Sequence, residues 1–241
     1  MDLRIAHLYP DLMSIYGDRG NVLALAQRAR WRDIVVETRP YTAGMTFDAD
    51  WPDVLFFGGG QDQGQDVVGA DLGGTNGDAI RRAIGNGAAA FTVCGGYQLF
   101  GTEYVPENAP AIPGLGLLDV STRAGKQRFV GNLVVETPDG MLVGFENHSG
   151  RTYLGPKAVP LGTVLVGHGN NGEDRTEGAI QGKMVGTYSH GSCLPKNPWL
   201  ADKLLAWALE RRHGSVRLRP LDDREERAAN EQAATVARAR T

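Results

Sequence analysis

The 241-residue chain carries 25 Lys+Arg against 28 Asp+Glu, a formal net charge of −3, which argues against a nucleic-acid binder held by bulk positive charge. Its 41% hydrophobic and 22% charged residues suit one large soluble domain, or two small ones sharing a core. No run approaches the roughly 18 apolar residues of a membrane span, the charged start is unlike a signal peptide, and two cysteines make no disulfide framework, so a cytoplasmic location is expected.

In chain order, residues 3–9 read as a strand and 21–30 as a helix, with Val22, Leu25 and Ala26 at helical spacing. Residues 34–36 and 54–57 are further apolar strands, the latter running into Gly58-Gly59-Gly60. Ile80 and Ile84 mark a short helix, stopped by Gly85-Asn86-Gly87. Residues 88–93 form a strand that meets Cys94-Gly95-Gly96. Continuous apolar strands separated by helices predict an α/β fold, an open and mainly parallel sheet with helices on both faces. After Gly101, residues 133–135, 141–143, 164–166 and 184–188 predict short antiparallel or mixed strands extending that sheet. Leu200, Leu204 and Trp207 mark the face of a final helix ending at Gly214. The domain is thus placed at residues 1–214. Residues 215–241 are rich in Arg, acids and Ala, with hardly a large apolar side chain, and are expected to be a flexible, solvated tail.

The chemistry points to Phe91-Thr92-Val93-Cys94-Gly95-Gly96-Tyr97-Gln98. A buried strand delivers a cysteine to a Gly-Gly turn that opens a helix, an arrangement that lifts a nucleophile out of a sheet. The helix start stabilises a thiolate and aims free N–H groups at developing negative charge. A lone buried cysteine is often inert, but strand, Cys and double Gly together favour catalysis. Among five histidines, His190 follows the 184–188 strand directly. Ligands of open α/β sheets gather outside the carboxyl ends of strands, so Cys94 and His190 can meet there, although spacing alone leaves a plain turn residue equally open. Gly58-Gly59-Gly60 also ends a strand. It lacks the Lys-Ser/Thr of a phosphate loop and the spacing of a dinucleotide fingerprint, and suits oxyanion donation paired with Gly95. Metal binding is not expected, since H-E-x-x-H and C-x-x-C are both absent.

These residues resemble class I glutamine amidotransferases, and within them the CobB/CobQ-like branch, which carries Cys-Gly-Gly-Tyr. Lys126-Gln127-Arg128-Phe129-Val130-Gly131-Asn132, residues 144–152, Leu8-Tyr9-Pro10 and Tyr16-Gly17-Asp18-Arg19-Gly20-Asn21 are similar to the small, free-standing GatD-type subunits of that branch. The likeness spans roughly residues 1–212. It implies glutaminase chemistry: Cys94 as nucleophile, His190 as general acid and base, and backbone N–H groups of Gly60 and Gly95 as the oxyanion hole. It further implies that Arg128 binds the α-carboxylate of L-glutamine and that Gln98 lines the pocket. The partner it implies is a MurT-like synthetase subunit of the Mur ligase family, holding ATP and Mg and amidating the D-glutamate α-carboxyl of lipid II in peptidoglycan synthesis. No cofactor is expected in this chain.

Two positions depart from the family pattern. Thr92 stands where many members have Gly, so the turn must accept a β-branched residue. The usual His-x-Glu becomes His190-Gly191-Ser192, so the acid that orients the histidine is expected from elsewhere, with the partner subunit as one source. Other readings are an amidotransferase acting on another carboxylate acceptor, a non-catalytic binding subunit on the same fold, or a stand-alone cysteine hydrolase.

Overall fold

The computed structural model describes residues 1–60, 62–190 and 192–239. The first hundred residues supply β1 (Asp2–Leu8), α1 (Arg19–Arg30), β2 (Val35–Tyr41), β3 (Val54–Phe57), α2 (Asp62–Leu72), α3 (Thr75–Gly85), β4 (Ala89–Val93) and α4 (Gly95–Phe100). Then come β5 (Glu103–Val105), β6 (Ile112–Pro113), β7 (Val120–Thr137), β8 (Gly140–Leu154), β9 (Gly162–Val166), β10 (Thr176–Glu177), β11 (Ala179–Gln181) and β12 (Met184–Thr187). Helices α5 (Cys193–Lys196), α6 (Pro198–His213) and α7 (Arg224–Ala239) close the chain.

The expected parallel sheet is present, in the order β11-β12-β4-β3-β1-β2, with β11 alone antiparallel to its neighbour. Every residue of β3 and β4 is buried, as continuous apolar strands covered on both faces require. The register sets the site. Phe57 pairs with Thr92, and Thr187 with Val93, so β3, β4 and β12 end side by side. The triple glycine, Cys94 and His190 therefore all emerge at one edge of the sheet.

Two expectations are corrected. Of the four short strands expected to extend the first sheet, 184–188 does so as β12, with β11 beyond it; the other three lie in a second sheet, β10-β9-β7-β5-β6, with β8 paired to β7. The short apolar runs at 133–135 and 141–143 are the centre of a hairpin whose arms are 18 and 15 residues long. These arms satisfy each other, while β12 occupies the edge of β4 that they would have needed. Their polar outer stretches hid the length from periodicity.

The tail forms α7, which packs on that hairpin. Ala234 and Ala237 are buried with Val134, Val143 and Val166. Asn230 Nδ2 donates to the carbonyls of Met141 and Lys196, at 3.0 and 2.9 Å. Alanines let a helix axis come close, so this contact needs none of the large apolar residues whose absence suggested a solvated segment. Helix α2, rich in Gly and polar residues, gave no periodic signal.

Candidate active site

Cys94 stands between β4 and α4 with φ 49° and ψ −106°, in the left-handed half of backbone space that a residue with a β-carbon enters only under constraint. The constraint is a set of hydrogen bonds. The Cys94 N–H donates to the Thr187 carbonyl at 2.9 Å, the Gln98 N–H to the Cys94 carbonyl at 2.9 Å, and the Gly96 N–H to the Gly58 carbonyl at 3.1 Å. Thr92 fits because its hydroxyl donates across the sheet to the Val185 carbonyl at 3.2 Å. A β-carbon on Gly96 would lie 2.4 Å from the Phe57 carbonyl oxygen. Backbone cannot yield there, so Gly96→Ala is expected to cost about 1–3 kcal/mol by overpacking, read as a lower midpoint in denaturant unfolding.

His190 leaves β12 with its N–H donating to the Phe145 carbonyl at 2.7 Å. Its ring is wholly buried and meets the Tyr16 ring in a T-shaped contact, with centroids 5.1 Å apart. Nδ1 lies 3.2 Å from Oδ1 of Asp18, and Oδ2 of Asp18 accepts the Gly59 N–H at 2.7 Å. Gly59 marks where the three groups converge: a β-carbon there would be 2.6 Å from His190 Cε1, 3.3 Å from Asp18 Oδ2 and 3.3 Å from the Cys94 β-carbon. His190 Nε2 is buried and hydrogen-bonded to no described residue. Burial by itself lowers the His190 pKa, but the negative charge of Cys94 and the Asp18 hydrogen bond outweigh it and push it up to about 10. The site therefore holds an imidazolium at neutral pH, beside Cys94.

Asp18 is the site residue that motif reading did not single out. It is fully buried and belongs to the loop leaving the carboxyl end of β1, where an open α/β sheet gathers its functional groups. That topological rule was the available signal. A carboxylate facing His190 thus comes from elsewhere than the His-x-Glu position, as expected, and from this chain. Ser192, two residues after the histidine, donates its hydroxyl to the Gly17 carbonyl at 2.7 Å, and Gly191 lies outside the described residues.

The other expected positions divide. A β-carbon on Gly95 would be 3.2 Å from the Gly60 nitrogen, so the two N–H groups are neighbours beside Cys94. Neither donates to a described residue, as suits a pair of oxyanion donors. Gln98 is buried behind the nucleophile. Its Oε1 accepts from Gln65 Nε2 at 3.0 Å and its Nε2 donates to the Tyr188 hydroxyl at 3.1 Å, within a network that continues to Thr152 and Thr122. The amide therefore positions its neighbours. Arg128 is exposed on the β7–β8 hairpin, with Nε donating to Asn147 Oδ1 at 2.5 Å; no described contact joins it to Cys94 or His190.

A second buried acid lies deeper. Glu177 Oε1 accepts from the Thr187 hydroxyl at 2.5 Å and from the Tyr188 N–H at 2.8 Å, while Oε2 has no described partner. Burial raises its pKa to about 7, against the lowering by those hydrogen bonds. Because the folded value exceeds the unfolded one, the native state holds the extra proton between about pH 4.5 and 7, and its stability falls as pH rises through that window. Glu177→Gln, which removes the charge, is expected to stabilise the protein by about 1–3 kcal/mol at pH 8 and by little at pH 4, measured by urea unfolding at the two pH values.

A family model for the CobB/CobQ-like glutamine amidotransferase domain matches residues 4–198. The chain is 41% identical over 215 residues to the protein named lipid II isoglutaminyl synthase (glutamine-hydrolyzing) subunit GatD of Staphylococcus aureus (strain N315), covering 88% of this chain and 86% of that one. Identity to the protein of the same name from Streptococcus pneumoniae (strain ATCC BAA-255 / R6) is 39%, over 88% and 82% of the two chains. A cobyric acid synthase of Limosilactobacillus reuteri (strain DSM 20016) is 31% identical over 64% of this chain, which is 31% of that longer protein. Among solved structures, one titled as a glutamine amidotransferase superposes with TM-score 0.57 at 18% identity, covering 84% of this chain and 98% of that one. PurLQS from Thermotoga maritima superposes with TM-score 0.59 at 16% identity, over 88% and 97%. The strained cysteine, the histidine beside it and these likenesses agree: the chain belongs to the CobB/CobQ-like glutamine amidotransferase family.

Proposed function

We propose that this chain is the glutaminase subunit of a two-subunit amidating complex. The observation that carries the reading is His190 held between Asp18 and Cys94, with the backbone N–H groups of Gly60 and Gly95, unpaired among the described residues, close by. The Cys94 thiolate attacks the side-chain amide carbon of L-glutamine, and the developing oxyanion is held by the N–H groups of Gly60 and Gly95. His190 Nε2 gives its proton to the departing nitrogen, ammonia leaves, and a glutamyl thioester remains. The neutral imidazole then takes a proton from water, hydroxide attacks the thioester, and glutamate departs with the thiolate and imidazolium restored. Asp18 keeps Nδ1 protonated and the ring aimed. Arg128, released from Asn147, offers its planar fork to the substrate α-carboxylate; Arg128→Lys is expected to raise KM by about tenfold with kcat little changed, checked by steady-state glutamate release.

The ammonia passes to a synthetase subunit of the Mur ligase family, MurT-like, which uses ATP and Mg to activate the D-glutamate α-carboxyl of lipid II and forms D-isoglutamine in the cytoplasm. The resemblance to the two lipid II isoglutaminyl synthase subunits supports this acceptor. No described helix is long and apolar enough to cross a membrane. The test is amidation of lipid II by the reconstituted pair, read by mass spectrometry. Glutamine should support it with wild type, while a Cys94→Ser complex should use ammonium salts only. Glutamine-driven amidation by the Cys94→Ser complex would overturn the reading.

A further inference from the structure

Four arginines on or just beyond α1 fall into two groups. Arg28 and Arg32 are buried and paired, Arg28 with Asp202 and Asp223 at 2.7 Å each and Arg32 with Asp202 at 2.6 Å. Arg19 and Arg30 are exposed, and neither has an acid or hydrogen-bond partner among the described residues. Both line one cleft of about 500 Å³ between α1 and the edge strand β2, together with His7, Ser14, Leu23 and Thr38. No acidic side chain lines it. Leu23 is 55% exposed, although it faces this cleft.

His7, which lines the same cleft, is buried without a hydrogen-bond partner: it is only 6% exposed, neither ring nitrogen is hydrogen-bonded among the described residues, and Nε2 is fully enclosed. Unpaired buried polar groups are uncommon and call for a partner. Burial keeps the ring neutral, with a pKa lowered to about 4, so the positive charge of the cleft comes from the two arginines alone.

The spacing decides what the cleft takes. Arg19 and Arg30 start and end α1, about 16 Å apart along its axis. A single phosphate or carboxylate does not span that distance, whereas about five residues of extended chain do. We infer that the cleft between α1 and β2 seats an acidic segment of the synthetase subunit, with carboxylates near Arg19 and Arg30 and an apolar residue on Leu23. This rests on the two-subunit reading above. The seat adjoins the site, because Arg19 follows Asp18, the residue that faces His190.

The test is titration calorimetry of this chain with the purified synthetase subunit, using wild type, Arg30→Glu and, as a control for charge alone, Lys157→Glu. Arg30 lies at the end of α1 away from Asp18, so glutamine hydrolysis by the isolated Arg30→Glu chain should match wild type. Arg30→Glu is expected to weaken binding about tenfold or more at low salt and to flatten its salt dependence, while Lys157→Glu binds as wild type does. Equal affinity for wild type and Arg30→Glu would overturn the proposal while leaving the glutaminase reading intact. So would saturable binding of inorganic phosphate to the isolated chain that Arg30→Glu removes, since it would assign the cleft to a free oxyanion. Failure of the wild-type chain to bind the synthetase at all would overturn the two-subunit reading and this docking site with it.

Discussion

Replacing Cys94 by Ser is expected to lower glutamine hydrolysis by about 10³-fold or more, the scale on which loss of a catalytic nucleophile is felt. The same change should leave the unfolding midpoint nearly unchanged, because the backbone bonds that hold the turn come from Thr187, Gln98 and Gly58 rather than from the thiol. A hydroxyl in this position ionises far less readily than a thiol. With the thiol gone, His190 also loses the charge of Cys94, the leading influence that raises its pKa. Steady-state release of glutamate, measured beside a thermal or urea melt of both proteins, separates lost chemistry from lost fold. Retained hydrolysis by Cys94→Ser would remove the nucleophile from the account.

Asp18→Asn is the second large effect. The carboxylate holds His190 through Nδ1 and is itself fixed by the Gly59 N–H. An amide of the same shape keeps one of these contacts and loses the charge, so the ring is no longer held in the protonated, aimed form. A fall in kcat of about 10²–10⁴-fold is expected, by the logic that governs the orienting acid of a catalytic triad. The pH profile carries the sign. Asp18 is one of the groups that raise the His190 pKa, so the alkaline limb, where the imidazolium loses the proton it gives to ammonia, should move to lower pH in Asp18→Asn. A merely structural Asp18 would change stability and leave that limb in place. Asp18→Glu, which restores charge with one more methylene, should recover part of the rate.

The apolar runs of β3 and β4 were legible in the sequence because strands buried on both faces need no polar alternation, and their ends led straight to the triple glycine and Cys94. His190 was legible as a strand-end residue, although only the pairing of β12 with β4 brings it to Cys94. Asp18 was not, because a lone aspartate after Tyr16-Gly17 has no periodic or spacing signature, and its role arises when β1 lies beside β3 and the loop folds over Gly59. Gln98 was named for the pocket, but its amide is engaged by Gln65 and Tyr188, contacts between parts of the chain that no local pattern links. The tail misled for a different reason. Hydrophobic content was the guide, and α7 docks through alanines and one asparagine.

Cys94, His190 and Asp18 all lie on this chain, so glutamine hydrolysis is expected without the synthetase. The most direct test is glutamate release from L-glutamine by the isolated, purified chain, with no synthetase and no ATP. Turnover by wild type is expected, sharply reduced in Asp18→Asn and lost in Cys94→Ser. Hydrolysis that begins only when the synthetase is added, with Asp18→Asn indistinguishable from wild type in the complex, would contradict it.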